Sequence, residues 1–378
     1  MRLRAQLRTL FNAQSIRPFI LALIAAALFG AATPVSKSLL ADFGPFTLSG
    51  LLYLGAALGV APLLVRKGRL QPPWRMDRRT RRLLWGAIFF GGVLGPVLLL
   101  FGLRLAAAAS VSLWLNLEAV ATALLGYFVF HDKLGRQGWI GAGGVLLSAL
   151  LLTWGGGAAG WQAGLLVAGS CLCWGLDNHL TALIDGITPA QSTFWKGLLA
   201  GLANLGIGLL IEGLSLPASG AAGVIGWQQI ALALLTGVFA YGLSITLYIG
   251  AAQALGATRS QLVFSTAPYF GMALSVLLLG ETISLLQWLA AALVAVSIVL
   301  LTVEWHSHEH EHPALEHEHW HDHGGGHGGG HGDDHHDHDH SGELAATAAC
   351  GHTHAHRHAP LSHSHRHWPD LHHRHEHG

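Results

Sequence analysis

Residues 139–153 read WIGAGGVLLSALLLT, and residues 288–302 read WLAAALVAVSIVLLT. A shift of 149 positions lays Trp139 on Trp288, Val145 on Val294 and Ser148 on Ser297. It also lays Leu151, Leu152 and Thr153 on Leu300, Leu301 and Thr302. Helices rich in Leu and Ala coincide by chance at Leu and Ala, but rarely at Trp, Ser and Thr together. The same shift brings the turn residue Asp132 onto Glu281, and Phe29-Gly30 resembles Trp174-Gly175 at a slightly different offset. The chain reads as a duplication, with one copy over 19–154 and the other over 162–303.

Working outward from the two copies, long apolar runs fill the chain to about Val303. A hydrocarbon core of about 30 Å takes roughly 20 apolar residues in a helix, since no water there satisfies a bent backbone. Windows of that size predict spans at Phe19–Leu40, Phe46–Val65, Leu83–Leu103, Ala106–Phe130 and Gln137–Trp154. The second copy gives Gln162–Ile184, Pro189–Ile211, Trp227–Ala252, Thr258–Leu279 and Ser284–Val303. The segments lack the polar stripe of a soluble helix, and their Gly and Ala content lets backbones approach closely. Phe19–Leu40 has the basic flank of a signal peptide, but the duplication requires it as a permanent helix. Cys171 and Cys173 lie within a span and Cys350 lies beyond Val303, so no disulfide framework is expected.

Five helices per copy is an odd number, so the second copy enters the membrane from the opposite side. Charge agrees. Arg2, Arg4, Arg8 and Arg17 precede the first span; Arg66, Lys67, Arg69, Arg75, Arg78, Arg79, Arg81 and Arg82 crowd the connection after the second; Lys133 and Arg136 follow the fourth. The positive-inside rule makes these places, and both termini, cytoplasmic in a bacterial-type inner membrane. The loop Gly280–Ser284, counterpart of the one holding Lys133, has no Lys or Arg. Inverted repeats suit alternating access around a central site. No nucleotide loop, catalytic triad or zinc-hydrolase motif is present, so neither an ATP motor nor an enzyme is expected.

At this point the sequence resembles the drug/metabolite transporter superfamily, and in it the EamA-type permeases. The carriers are Leu117-Glu118-Ala119 and its counterpart Ala267-Pro268, then Gly126-Tyr127 to Asp132-Lys133 and Leu279-Gly280-Glu281-Thr282. Family members show Glu-Pro in the fourth helix; Ala119 stands at that proline here, while Pro268 keeps it in the other half. Cys173-Trp174-Gly175-Leu176-Asp177-Asn178-His179 and Phe194-Trp195-Lys196-Gly197 resemble a subgroup with His-rich tails. The resemblance implies a ten-helix permease for small organic solutes such as amino acids, metabolites or drugs.

An ionisable side chain deep in a membrane helix costs about 2.5–3.5 kcal/mol on insertion scales, so it calls for a partner or a function. Glu118 is the deepest, with Asn116 two residues before it. It reads as a protonatable carboxylate on the substrate path, or as a neutral group tying helices together. Asp177 and Lys196 lie at similar depths on either side of one short turn and are expected to pair, as a static clip or a gate. His179 reads as a hydrogen-bonded structural residue before a metal ligand, and Lys37 as a snorkelling cation at a helix end. Tyr241, Asn204 and Gln261 are further candidates for the cavity. Trp85, Trp154 and Trp227 read as interface anchors.

After Val303 the composition changes. Of 27 histidines only His131 and His179 precede it. The tail carries His306, His308, His310 and His312; His317, His319, His321 and His323; His335, His336, His338 and His340; His352, His354, His356 and His358; His363, His365 and His367; and His372, His373, His375 and His377. Neutral imidazole ligates Zn, Ni, Co and Cu, and the interleaved Asp and Glu add charge. With Gly324–Gly332 and little apolar surface, residues 304–378 are expected to be a disordered metal-binding tail.

The expectation is therefore an all-α integral membrane protein of ten transmembrane helices in two inverted five-helix repeats, preceded by a basic segment at 1–18 and ending in the tail. Its function reads as secondary transport of a small solute, with a tail that binds divalent metal ions and with no cofactor required. A transition-metal permease fed by the tail, and a membrane-anchored metal store or sensor, are the alternatives. Expected partners are the lipid bilayer, the small-molecule or ion substrate and divalent metals; a homodimer is compatible, and nucleic acid is not expected.

Overall fold

The computed structural model describes residues 13–67, 70–130, 134–184, 187–213, 225–255, 260, 263–302, 306–312, 315–321, 352–358 and 361–367. The bundle begins with α1 (Ala13–Leu39), α2 (Pro45–Lys67), α3 (Arg78–Leu105), α4 (Ala108–Val129) and α5 (Arg136–Gly155). It continues with α6 (Gly157–Ala182), α7 (Pro189–Ile211), α8 (225–255), α9 (Ala267–Leu279) and α10 (Leu285–Thr302). Among the described residues, eight of these, α1 to α8, are long and apolar enough to cross a bilayer, and α9 and α10 are shorter apolar helices. Trp85, Trp154 and Trp227 are all more than half exposed near helix ends, where an indole suits the membrane interface.

Three helices are irregular. α3 and α8 each change to π-helix in mid-course, over Ile88–Leu94 and Gly237–Leu243, segments of seven residues related by the 149-residue shift. Such a turn shifts the backbone bonding from i+4 to i+5 and re-aims carbonyl groups, which is why π segments collect at functional sites. α4 breaks at Leu115-Asn116, and a turn at Ser265-Thr266 precedes α9. The break in α4 forms with Ala119, not a proline, in the turn that follows it.

Small residues set the packing. Gly55 and Gly59, four apart on one face of α2, lie against Gly237 and Gly242 of α8, and a Cβ on Gly242 would come within 2.9 Å of the Gly59 Cα. The other face of α2 meets α7, where Gly197 and Gly201 abut Tyr53 O and Leu54 N at 2.8 Å from an added Cβ. α5 packs on α10 through Gly141, and Ser148 Oγ donates to Ala290 O at 3.1 Å. α3 pairs with α6, α1 with α8 and α9, and α4 with α6 and α9. Without a hydrophobic drive between helices in lipid, such close backbone contact supplies the dispersion energy that holds a bundle together.

Some boundaries move. α6 begins at Gly157, a turn earlier than composition suggests, because Gly157 takes φ +62° and reverses the chain directly after α5. α3 starts at Arg78 because Asp77 caps it, accepting from Thr80 N at 2.9 Å. Much of the expected span's start at Thr258 lies outside the described residues. In the tail, β1 (His306–His312) pairs antiparallel with β4 (Leu361–His367), and β2 (Leu315–His321) with β3 (His352–His358). These four segments thus depart from the expectation of a tail without regular structure. The His-x-His alternation has the two-residue period of a strand. Helices and strands form two separate compact units.

Candidate functional site

The π segment of α3 organises the centre. Its Gly91 carbonyl accepts two hydrogen bonds, from Tyr53 Oη of α2 at 2.5 Å and from Trp174 Nε1 of α6 at 3.0 Å. Asn204 of α7, fully buried, donates through Nδ2 to Gly92 O at 3.0 Å and to Ser49 Oγ at 2.8 Å. Glycine is required at position 91, since a Cβ there would run into the Asp177 carboxylate. Against this surface Lys196 Nζ donates to Asp177 Oδ2 at 2.5 Å, and Thr181 Oγ1 donates to Asp177 Oδ1 at 3.0 Å. The structure thus brings Asp177 and Lys196 together, largely buried, with side-chain exposures of 9% and 18%.

Glu118 lies in the first turn after the break in α4. Asn178 Nδ2 donates to its Oε1 at 3.0 Å and also to Thr122 Oγ1 at 3.2 Å. The side chain is half-buried, and its hydrogen bond with Asn178 ties α4 to α6. Asn116 turns away: its Nδ2 donates to Leu113 O at 3.0 Å, across the break.

One helical turn from Glu118, Leu115 borders a cavity lined also by Phe29, Thr33, Ser36, Trp174 and Tyr241. Its volume of about 10 Å³ suffices for roughly one water molecule. Among the described residues Ser36 Oγ, buried there, has no hydrogen-bond partner. Tyr241, from the π segment of α8, stands edge-on to Phe29 at 5.8 Å. The lining combines α1, α3 and α4 with α6 and α8, so the cavity sits where the two copies meet.

Lys37 lies in the last turn of α1. It is half-buried and its Nζ donates to Leu103 O at 2.7 Å and Ala106 O at 2.9 Å, neutralising the carbonyl end of α3. Two carboxylates complete this end of the bundle. Glu281 accepts from Ala108 N at 2.8 Å and Ala109 N at 2.9 Å, capping α4. Glu212 accepts from Phe46 N at 2.9 Å and Thr47 N at 3.0 Å, capping α2. Each cap comes from the second copy and closes a helix of the first.

His179 of α6 meets the end of α4. Its Nε2 lies 2.9 Å from Thr122 O, which can only accept, so that nitrogen carries a proton, and its ring stacks on Phe130 at 4.2 Å. Gln261, His131, His323, His335, His336, His338, His340, His372, His373, His375 and His377 lie outside the described residues. Among the described residues no group of three His, Cys, Asp or Glu could hold a metal. Sequence reasoning missed Tyr53, Thr33, Ser36, Gly91 and the capping role of Glu212. The Gly91-Gly92 pair inside an apolar helix was the available signal, since glycine there marks close approach or a distorted turn.

The model of the EamA-like transporter family matches twice, over residues 16–154 and 161–303. The chain belongs to the EamA-like transporter family. An uncharacterized transporter of Synechocystis sp. is 29% identical over 299 residues, 72% of this chain and 86% of that protein. An uncharacterized transporter of Methanothermobacter thermautotrophicus is 25% identical over 303 residues, 75% of this chain and 85% of that protein. A crystal structure 19% identical, covering 77% of this chain and 97% of its own, superposes with a TM-score of 0.53, a likeness of fold. This EamA-like chain is a multi-pass membrane protein of a transporter family.

Proposed function

We propose that this EamA-like protein is a secondary permease that moves a small organic solute by alternating access between two inverted five-helix repeats. The observation that carries the reading is the small cavity at the seam of the two copies, lined by residues of α1, α3, α4, α6 and α8. Glu118 lies a turn below it, and the caps from Glu212 and Glu281 fasten one end. In this reading ten helices span an inner membrane, both termini are cytoplasmic, and the capped end faces outward. The duplicated family match, the paired π segments and the pairing of α2 with α7 and of α5 with α10 support the repeat. Each of those pairs joins a helix to its own counterpart, as an in-plane pseudo-twofold demands.

Glu118 is assigned to the path as the proton-coupling carboxylate. The Asp177–Lys196 pair is a clip that fixes α6 to α7, and Tyr241 lines the cargo site. The tail is a cytoplasmic binder of divalent ions such as Ni, Zn, Co or Cu. The strand register supports that role, since it sets His308 opposite His365, His310 opposite His363, His317 opposite His356 and His319 opposite His354.

The test is uptake into proteoliposomes by full-length and tail-less protein, with and without a pH gradient, against Ni, Co, Zn and an amino-acid panel. Flux of an organic solute that responds to the pH gradient is the expected result, and Glu118→Gln should abolish the pH response. Metal flux that survives removal of the tail overturns this reading in favour of a metal permease.

A further inference from the structure

We infer that the start of α3, with the connection leading into it, is a docking face for an anionic phospholipid of the phosphatidylglycerol type. The bound lipid holds this end of α3 against α7. The partner is the membrane itself, so neither the cargo nor the transport cycle enters.

The face is a stripe. Arg78, Arg82, Trp85 and Phe89 follow one another at steps of four, three and four residues, which sets them along one side of α3. All four are exposed, whereas Thr80, Leu84, Ala87 and Ile88 are buried on the other side. The outward side thus changes from guanidinium to indole to phenyl over about 16 Å of helix axis. Phosphate, glycerol ester and acyl chain come in the same order on entering a bilayer from water, and indoles collect at the middle level. Exposed Arg75 and Arg79 add positive charge beside the stripe.

These charges have no protein partner. Among the described residues none of the four arginines forms an ion pair. Asp77 is the one acid between Leu70 and Phe89, and its Oδ2 accepts from Thr80 N. A guanidinium fork matches a phosphate with two parallel hydrogen bonds. Positive charge orients a membrane protein whichever way it faces. Here it shares a side with two exposed aromatic rings, which gives it a lipid as partner.

The scaffold beneath is firm. Met76, Leu84 and Ile88 pack in one buried cluster with Tyr53 of α2 and with Trp195 and Ala200 of α7. Trp195 Nε1 donates to Gln71 O at 2.9 Å, and its ring stands edge-on to the exposed Trp74 at 6.4 Å. Trp195 directly precedes Lys196, so the arginine face is built on the segment that carries the Asp177–Lys196 pair.

Purified full-length protein would be titrated with phosphatidylglycerol and with phosphatidylcholine in mixed micelles, and retained lipid counted by native mass spectrometry. Preferential retention of phosphatidylglycerol is expected, falling with added salt because exposed charges are screened. Arg78→Gln with Arg82→Gln should weaken it about 30-fold, at about fivefold for each arginine beside an anionic surface. Arg136→Gln, at an exposed arginine on α5 outside the stripe, should leave it unchanged. Phosphatidylglycerol should also raise the thermal unfolding midpoint of the unsubstituted protein and not that of the double variant. Equal retention of the two lipids overturns the proposal, as does an equal loss in Arg136→Gln. Displacement of the lipid by millimolar inorganic phosphate would make the face a site for a free anion and overturn it too. Should the double variant not insert, Arg78→Lys with Arg82→Lys keeps the charge and loses the fork. Unchanged phosphatidylglycerol retention in that variant, together with no preference in the unsubstituted protein, would leave the arginines no role beyond orientation.

Discussion

Splitting the Asp177–Lys196 pair tests whether it is a clip or a moving part. Two unit charges 2.5 Å apart attract by roughly 6–7 kcal/mol at an effective dielectric constant of about 20. Taking each ion out of water costs several kcal/mol, so the intact pair adds little net stability. Removing one partner is different, because the other charge stays buried and unmatched. Asp177→Asn or Lys196→Met alone should cost about 3–5 kcal/mol. The double variant should recover most of that loss, since an amide and an apolar stem of similar size fill the same space. Equilibrium unfolding in mixed micelles, titrated with denaturing detergent, measures the stability cycle, and proteoliposome flux measures function. A clip predicts a double variant that is folded and active. A folded double variant without flux would make the pair a gate, and single variants within about 1 kcal/mol of the unsubstituted protein would refute the electrostatic reasoning itself.

Three other predictions concern the two ends of the bundle and the tail. Glu281→Gln should weaken the cap on α4 by about 1 kcal/mol, within the usual range for caps. It should raise labelling of a cysteine at Ser36 by an impermeant maleimide severalfold, in a background without native cysteines; unchanged labelling would remove Glu281 from the closure. Deleting 306–378 should leave membrane insertion intact and remove most nickel and zinc binding, as read by extraction behaviour and equilibrium dialysis. Asp77 is held below the usual carboxylate range by hydrogen bonds from Thr80. Its cap is therefore present above the ordinary carboxylate pKa and lost as pH falls through the lowered value. Amide exchange at Thr80 and Arg81 should quicken below that point, and a pH-independent exchange ratio would refute the cap.

Much of the architecture was legible because membrane burial demands long apolar runs, and because duplication leaves Trp, Ser and Thr at matching positions. Length and hydropathy need no tertiary information, so the helices and the two matched copies could be read directly. The ion pair was legible for a similar local reason: Asp177 and Lys196 flank one short turn. Glu118 stood out through the cost of a carboxylate at mid-span.

What the linear pattern could not determine is whatever depends on two distant segments meeting. Lys37 and Ser36 are neighbours in sequence, yet the first caps α3 and the second lines the cavity, a difference set by the approach of α3 to α1. Glu212 and Glu281 look like ordinary loop acids; only packing across the two copies turns them into caps on α2 and α4. Gly91 became meaningful once the π segment offered its carbonyl to Tyr53 and Trp174 and left no room beside Asp177. Sequence by itself determined that this chain is a duplicated helical bundle with a histidine tail. Tertiary structure decided which of its polar groups face one another, because contacts such as Tyr53 to Gly91 and Ala108 to Glu281 join residues 38 and 173 positions apart.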